Sequence, residues 1–89
     1  MLKRELIIAN KLGLHARASA KLTKLASEFA SDVWLSKGSR RVNAKSIMGV
    51  MMLAAGQGSK IAVEADGDDA QQALDQIALL VDDKFGEGE

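Results

Sequence analysis

Eighty-nine residues, 47% of them hydrophobic, allow one small domain with one modest core, and with aromatics at 3% that core must be built of Leu, Ile, Val, Ala and Met. Twelve basic residues balance twelve acidic ones, there is no cysteine, and histidine occurs once. This excludes a disulfide framework and a thiolate metal centre, and gives no overall pull towards nucleic acid. No N-terminal apolar run is long enough for a secretion signal or a membrane span, and the absence of disulfides fits a reducing compartment. The expectation is therefore a soluble, cytoplasmic, monomeric protein without cofactor or metal.

Residues 2–9 read as a strand with Leu6 and Ile8 inward and Lys3, Glu5 and Ile7 outward. Asn10, Lys11, Leu12 and Gly13 form a turn-rich connection. From Ala16 the period changes, and Ala18, Leu22, Leu25, Ala26 and Phe29 fall on one helical stripe. Residues 32–36 alternate again, with Val33 and Leu35 on one face and Trp34 on the other, where it packs over its neighbours. The loop Lys37-Gly38-Ser39 signals a hairpin into a short strand, 40–44, with Val42 inward. Ser46 is placed to cap a helix over 47–55 that Gly56 would stop. Ile61, Val63 and Ala65 mark a strand over 60–65, and Ala70, Ala73, Leu74, Ile77, Leu80 and Val81 mark a last helix over 70–83. Residues 1–85 then make one domain and 86–89 a flexible tail. The order strand, helix, strand, strand, helix, strand, helix packs naturally as an α+β fold, a four-stranded, largely antiparallel sheet with helices on one face.

The stretch Gly13-Leu14-His15-Ala16-Arg17-Ala18-Ser19 holds the one histidine where a strand gives way to a helix. Part of any histidine population is neutral imidazole at physiological pH, and its unprotonated nitrogen can attack phosphorus. The first turn of a helix offers free N–H groups and a positive dipole end to phosphate. Arg17 adds a permanent cation. A lone histidine is more often an inert surface residue, but nucleophile, anion cradle and counter-charge here fall within a few residues.

The second helix leaves almost no polar face. If Val50, Leu53 and Ala54 point inward, Met48, Met51 and Met52 cannot all do so, and Ile47 sits at the border. An exposed Met cluster suits an adaptable docking surface, because the unbranched thioether repacks against different partners. Ala16, Arg17, Ala20 and Lys24 of the first helix would join Ile47, Met48, Met51 and Met52 in that surface. Lys21, Lys24, Lys37, Arg40, Arg41 and Lys45 gather in the middle of the chain, which gives it a basic setting for an acidic partner.

Residues 10–17, Asn-Lys-Leu-Gly-Leu-His-Ala-Arg, together with residues 43–48, Asn-Ala-Lys-Ser-Ile-Met, closely resemble the HPr family, the histidine-containing phosphocarriers of the bacterial phosphoenolpyruvate-dependent phosphotransferase system. The similarity covers essentially the whole chain. It implies an open-faced β-sandwich of four antiparallel strands and three helices, ordered βαββαβα. It implies a carrier without turnover of its own: His15 accepts a phosphoryl group on Nδ1 from enzyme I, charged by phosphoenolpyruvate, and passes it to enzyme IIA domains, with Arg17 steadying the phosphate. Ser46 matches the residue that a serine kinase/phosphorylase modifies in many members, with a regulatory protein as reader. Two departures stand out. Most members have Pro where this chain has Ala18, which loosens the turn after Arg17. Several carry Lys where this chain has Gly49, which removes one contact for acidic partners. The alternative is a regulatory binding module of the same family, read through Ser46 and the Met surface, with little role in sugar transport. A ligand-sensing or RNA-binding α+β domain is poorly supported, since the chain lacks aromatic pairs for base stacking.

Overall fold

The computed structural model describes residues 1–86. Four strands, β1 (Leu2–Ile7), β2 (Asp32–Lys37), β3 (Arg40–Asn43) and β4 (Lys60–Asp66), form one antiparallel sheet in the order β1-β4-β2-β3. Three helices, α1 (Ala16–Ser27), α2 (Ile47–Met52) and α3 (Ala70–Asp82), cover one face of that sheet, so the architecture is the expected open-faced α+β sandwich.

The register explains why only one face is covered. Val42, Leu35 and Val63 lie in one row across the sheet, Val33 and Ala65 in a second, and Leu6 and Ile61 in a third. All stand on the helix side, where they meet Ala18, Leu22 and Ala26 of α1 and Ala73, Leu74, Ile77 and Val81 of α3. Each fully buried Leu or Ile stabilises by ~1.5–3 kcal/mol. The small alanines of α3 let that helix sit close on β1 and β4. On the open face the rows read Lys3, Glu64, Trp34, Asn43 and Glu5, Ala62, Ser36, Arg41. There the Arg41 guanidinium lies 4.3 Å from the centre of the Trp34 ring, and its Nε donates to Glu64 Oε1 at 3.2 Å. Trp34 is thus packed by its neighbours, as expected. Arg4 stands on the inner side of the edge strand β1 and donates to Asp75 of α3 at 3.0 Å. An inward charge of this kind discourages pairing of the edge with another strand.

Several boundaries differ from the pattern in the sequence. Ile8 lies past the end of β1, but its N–H still donates to Ser59 O and its carbonyl accepts from Gly58 N–H. The second helix stops at Met52, not at residue 55, and Gly56 is not its stop. The reversal falls on Ala54, whose φ of +52° is left-handed, so Ala54 is exposed and Ala55 takes the buried place. Asp83 caps α3, after which Lys84 and Phe85 both take positive φ and the Phe85 ring turns fully into the core. Lys21 Nζ holds the Phe85 carbonyl at 2.6 Å, and Gly86 N–H donates to Asp83 O. Gly86, expected to open a flexible tail, is thus bonded into this turn, and residues 87–89 lie outside the described residues.

Asp69, just before α3, does not cap that helix with its side chain. Its carboxylate instead accepts from the Ser31 hydroxyl, from Ser31 N–H at 2.9 Å and from Ala30 N–H at 2.8 Å, joining the end of α1 to the start of α3. Gly67 makes this approach feasible: a Cβ there would lie 2.5 Å from Ser31 Oγ. The hydroxyl bond first, and the Ala30 N–H next, hold the carboxyl below the ordinary aspartate range. A depressed carboxylate adds stability that is complete above its unfolded value, about pH 4, and is lost as pH falls through the folded value. Asp69→Asn is therefore expected to be less stable than the wild type at pH 7. The gap in melting temperature should narrow as the pH is lowered from 5 to 2.5, and a gap that stays constant would remove Asp69 from the acid response.

Candidate phosphoryl-acceptor site

His15 is the N-cap of α1. Its backbone is extended (φ −73°, ψ 179°), its carbonyl accepts from Ser19 N–H at 2.8 Å, and its Nδ1 accepts from Arg17 N–H at 3.3 Å. Histidine is not a common cap, since Ser, Thr, Asp and Asn reach the free N–H groups more easily. The geometry has a chemical consequence. The Nδ1 lone pair faces the Arg17 N–H, and an electrophile can reach that lone pair once the N–H turns away. No acidic residue lies in the first turn of α1, and Lys24 in its last turn complements the negative end. His15 is half-buried and Arg17 exposed.

The loop before His15 is fixed from several sides. Gly13 has φ of +65°, and a Cβ on it would fall 2.4 Å from Ala55 O, so only glycine fits there. Gly13 N–H donates to Asn10 O at 3.2 Å, and Leu14 N–H to Ala55 O at 2.9 Å. The second of these bonds joins the loop before α1 to the segment after α2.

Ser46 is the N-cap of α2, as expected: its Oγ accepts from Gly49 N–H at 3.1 Å, and its carbonyl accepts from Val50 N–H at 3.0 Å. Val50 and Leu53 are buried, whereas Met48, Met52, Ile47 and Met51 are 70%, 59%, 44% and 38% exposed. Ala16, Ala20 and Lys24 are exposed on α1, which packs against α2. All the residues expected in the docking surface are thus exposed, on two helices that pack together. A Cβ at Gly49 would meet Asn43 O and Ser46 at 3.4 Å, so the position can take a side chain with a small adjustment.

The basic cluster is less available than the sequence implies. Lys37 and Arg40 donate to the carbonyls of Ala54 and Met52 at the end of α2, Lys45 to Phe29 O, and Lys21 to Phe85 O. These cations close helix ends. Two residues that were not singled out are Asn10 and Ser19, both fully buried beside the His15 loop. Ser19 carries a signal that could have found it, a polar side chain next to Ala18 on the inner half of α1. Among the described residues, no group of three or more His, Asp or Glu converges as a metal site would require.

The family model for the phosphotransferase-system HPr component phosphorylation site matches residues 2–83. The chain belongs to the HPr family. It is 61% identical to phosphocarrier protein HPr of Cupriavidus necator and 55% identical to phosphocarrier protein HPr of Neisseria meningitidis serogroup A, each over all 89 residues and the full length of both proteins. The crystal structure of HPr-C-His from Thermoanaerobacter tengcongensis superposes with a TM-score of 0.95 at 44% identity, covering 98% of each chain. HPr proteins are phosphocarriers of the phosphotransferase system and not enzymes: the group is loaded and handed on, and the protein has no turnover of its own. In this HPr, the left-handed Ala54 lies next to the Ala55 carbonyl that holds Leu14. A non-glycine residue there costs ~1 kcal/mol. Ala54→Gly should raise stability by up to about that amount in urea unfolding, and a decrease would contradict the conformational reading.

Proposed function

We propose that His15 Nδ1 accepts the phosphoryl group from enzyme I, itself charged by phosphoenolpyruvate, and passes it to enzyme IIA domains. The observation that carries this reading is the Nδ1 acceptor bond to Arg17 N–H at the positive end of α1. As the Nδ1–P bond forms, the donor's bond to phosphorus breaks and the donor keeps that electron pair; onward transfer reverses the exchange. The Arg17 N–H turns from the ring nitrogen to a phosphoryl oxygen, and the Arg17 guanidinium balances the incoming charge. The partners dock on Ala16, Ala20, Lys24, Ile47, Met48, Met51 and Met52, an apolar centre with a basic edge. On this reading the chain acts in the cytoplasm, as a monomer.

Incubation with enzyme I and phosphoenolpyruvate should add one phosphoryl group that is acid-labile and base-stable. His15→Ala should abolish it with the fold intact, and label persisting on that variant would overturn the assignment. Arg17→Ala should slow transfer with little change in melting temperature, as expected for an exposed side chain.

Ser46 is the regulatory site in this reading. A phosphate on Oγ would meet the free N–H groups of the first turn of α2 and leave the helix intact, while adding −1.5 to −2 charges, roughly, beside the Met surface. A dianion there repels acidic groups on enzyme I and must be desolvated on docking. Ser46→Asp should weaken His15 phosphorylation by at least about tenfold, equivalent to ~1.4 kcal/mol, with a melting temperature near that of the wild type. A normal rate would leave Ser46 as a helix cap alone.

A further inference from the structure

Two fully buried polar side chains, Asn10 and Ser19, spend hydrogen bonds on the two carbonyls that immediately precede His15. Asn10 Nδ2 donates to Gly13 O at 2.8 Å, and Ser19 Oγ donates to Leu14 O at 3.0 Å. The peptide unit between Gly13 and Leu14 is therefore held at both ends, its carbonyl by Asn10 and its N–H by Ala55 O. The next unit, between Leu14 and His15, is held at its carbonyl by Ser19. The unit after His15 is held at its carbonyl by Ser19 N–H at 2.8 Å, so the peptide planes on both sides of His15 Cα are fixed, and the direction of the Cα–Cβ bond with them. The Leu14 side chain, buried beneath, adds a further restraint.

We infer that Asn10 and Ser19 are positioning residues that aim the His15 imidazole, and that they supply the rigidity this chain lacks through having Ala18 and no proline anywhere. The Nδ1 bond to Arg17 N–H, 3.3 Å long, restrains the ring about its side-chain torsions but not the backbone that carries it. In-line transfer is sensitive to motion of that backbone, because displacement of a reacting atom by an ångström costs about a hundredfold in rate. Neither side chain touches the reacting atoms. Both act through the backbone, so they govern the transfer step and leave partner docking alone. Proline at position 18 would stiffen the same turn by another route: residue 18 is third in the helix, where its N–H has no carbonyl partner within the helix, and extended His15 carries the Leu14 carbonyl out of the helical position that a proline ring would strike.

This inference rests on His15 being the phosphoryl acceptor, and the experiment separates the two. Single-turnover transfer from phosphorylated enzyme I is followed for the wild type, Ser19→Ala, Asn10→Ala and Ser19→Ala with Ala18→Pro, each well below its melting temperature, with His15→Ala as the blank. If the wild type gives no His15 phosphate, the acceptor assignment falls. If it does, Ser19→Ala and Asn10→Ala should each slow the maximal transfer rate by about tenfold, while the enzyme I concentration for half-maximal rate stays within about twofold. Ala18→Pro should restore most of the loss in Ser19→Ala. Nitrogen-15 spectra of the His15 ring in the unphosphorylated variants supply a readout that needs no partner and should show the Nδ1 bond to Arg17 weakened. Wild-type maximal rates, a loss expressed only in the half-maximal concentration, or a defect that Ala18→Pro leaves untouched would each overturn the inference. Should Ser19→Ala fail to fold, the rate and ring spectrum of Asn10→Ala decide alone.

Discussion

The hydrogen bond from Leu14 N–H to Ala55 O is the joint on which the site depends. It ties the loop that carries His15 to the segment that closes α2, so the residue proposed to take the phosphoryl group and the helix proposed to meet partners are held by one contact. Gly13 makes the contact possible, since any side chain there would strike the Ala55 carbonyl. Ala54 has to take a left-handed backbone to present that carbonyl, and Lys37 and Arg40 hold the carbonyls on either side of the reversal. Strain in one short segment is thus offset by bonds from β2, from the hairpin into β3, and from the His15 loop itself.

The same arrangement accounts for the helix that looked too apolar. A helix of six residues can bury one stripe, and Val50 with Leu53 fills it. Had the helix run to residue 55, Ala54 would have joined that stripe. Ending at Met52 turns Ala55 inward instead. The exposure of the methionines follows from the one stripe that Val50 and Leu53 fill, and the early stop decides which alanine is buried. α1 packs against α2, and its Ala16 and Ala20 are exposed as the methionines are.

Strand alternation and helix stripes made the sheet, its covered face and two of its helices legible in the sequence. Leu6, Val33, Leu35, Ile61, Val63 and Ala65 could face only one way without exposing the core. The histidine site was legible because a cap position needs only local information: the end of a polar loop and the start of a periodic run. What escaped the reading was set by tertiary contact. Gly56 looks like a helix stop, yet Ala54 takes that role because Leu14 needs the Ala55 carbonyl. The basic residues look like a binding face, yet most close helix ends or pair on the open sheet. Asn10 reads as a turn former and Ser19 as one more small helical residue, and only packing reveals that both are buried against carbonyls of the His15 loop.

A carrier faces a constraint that an enzyme does not. It must hold its phosphoryl group long enough to meet a second protein, and then release it at comparable ease. A deep pocket with many charged donors would stabilise the loaded state and trap it, since binding that favours a ground state adds nothing to the rate of the next step. This site offers a half-buried ring, one exposed guanidinium and the partial charges of one helix end. That is enough to steady a dianion in water and too little to bury it. On the reading proposed above, control of transfer comes from the aim of the ring, which is where the buried bonds to Gly13 and Leu14 would act. In the proposed transfer, the partner docked on the apolar patch supplies the rest of the coordination, and the complete transfer site exists only while two proteins are in contact.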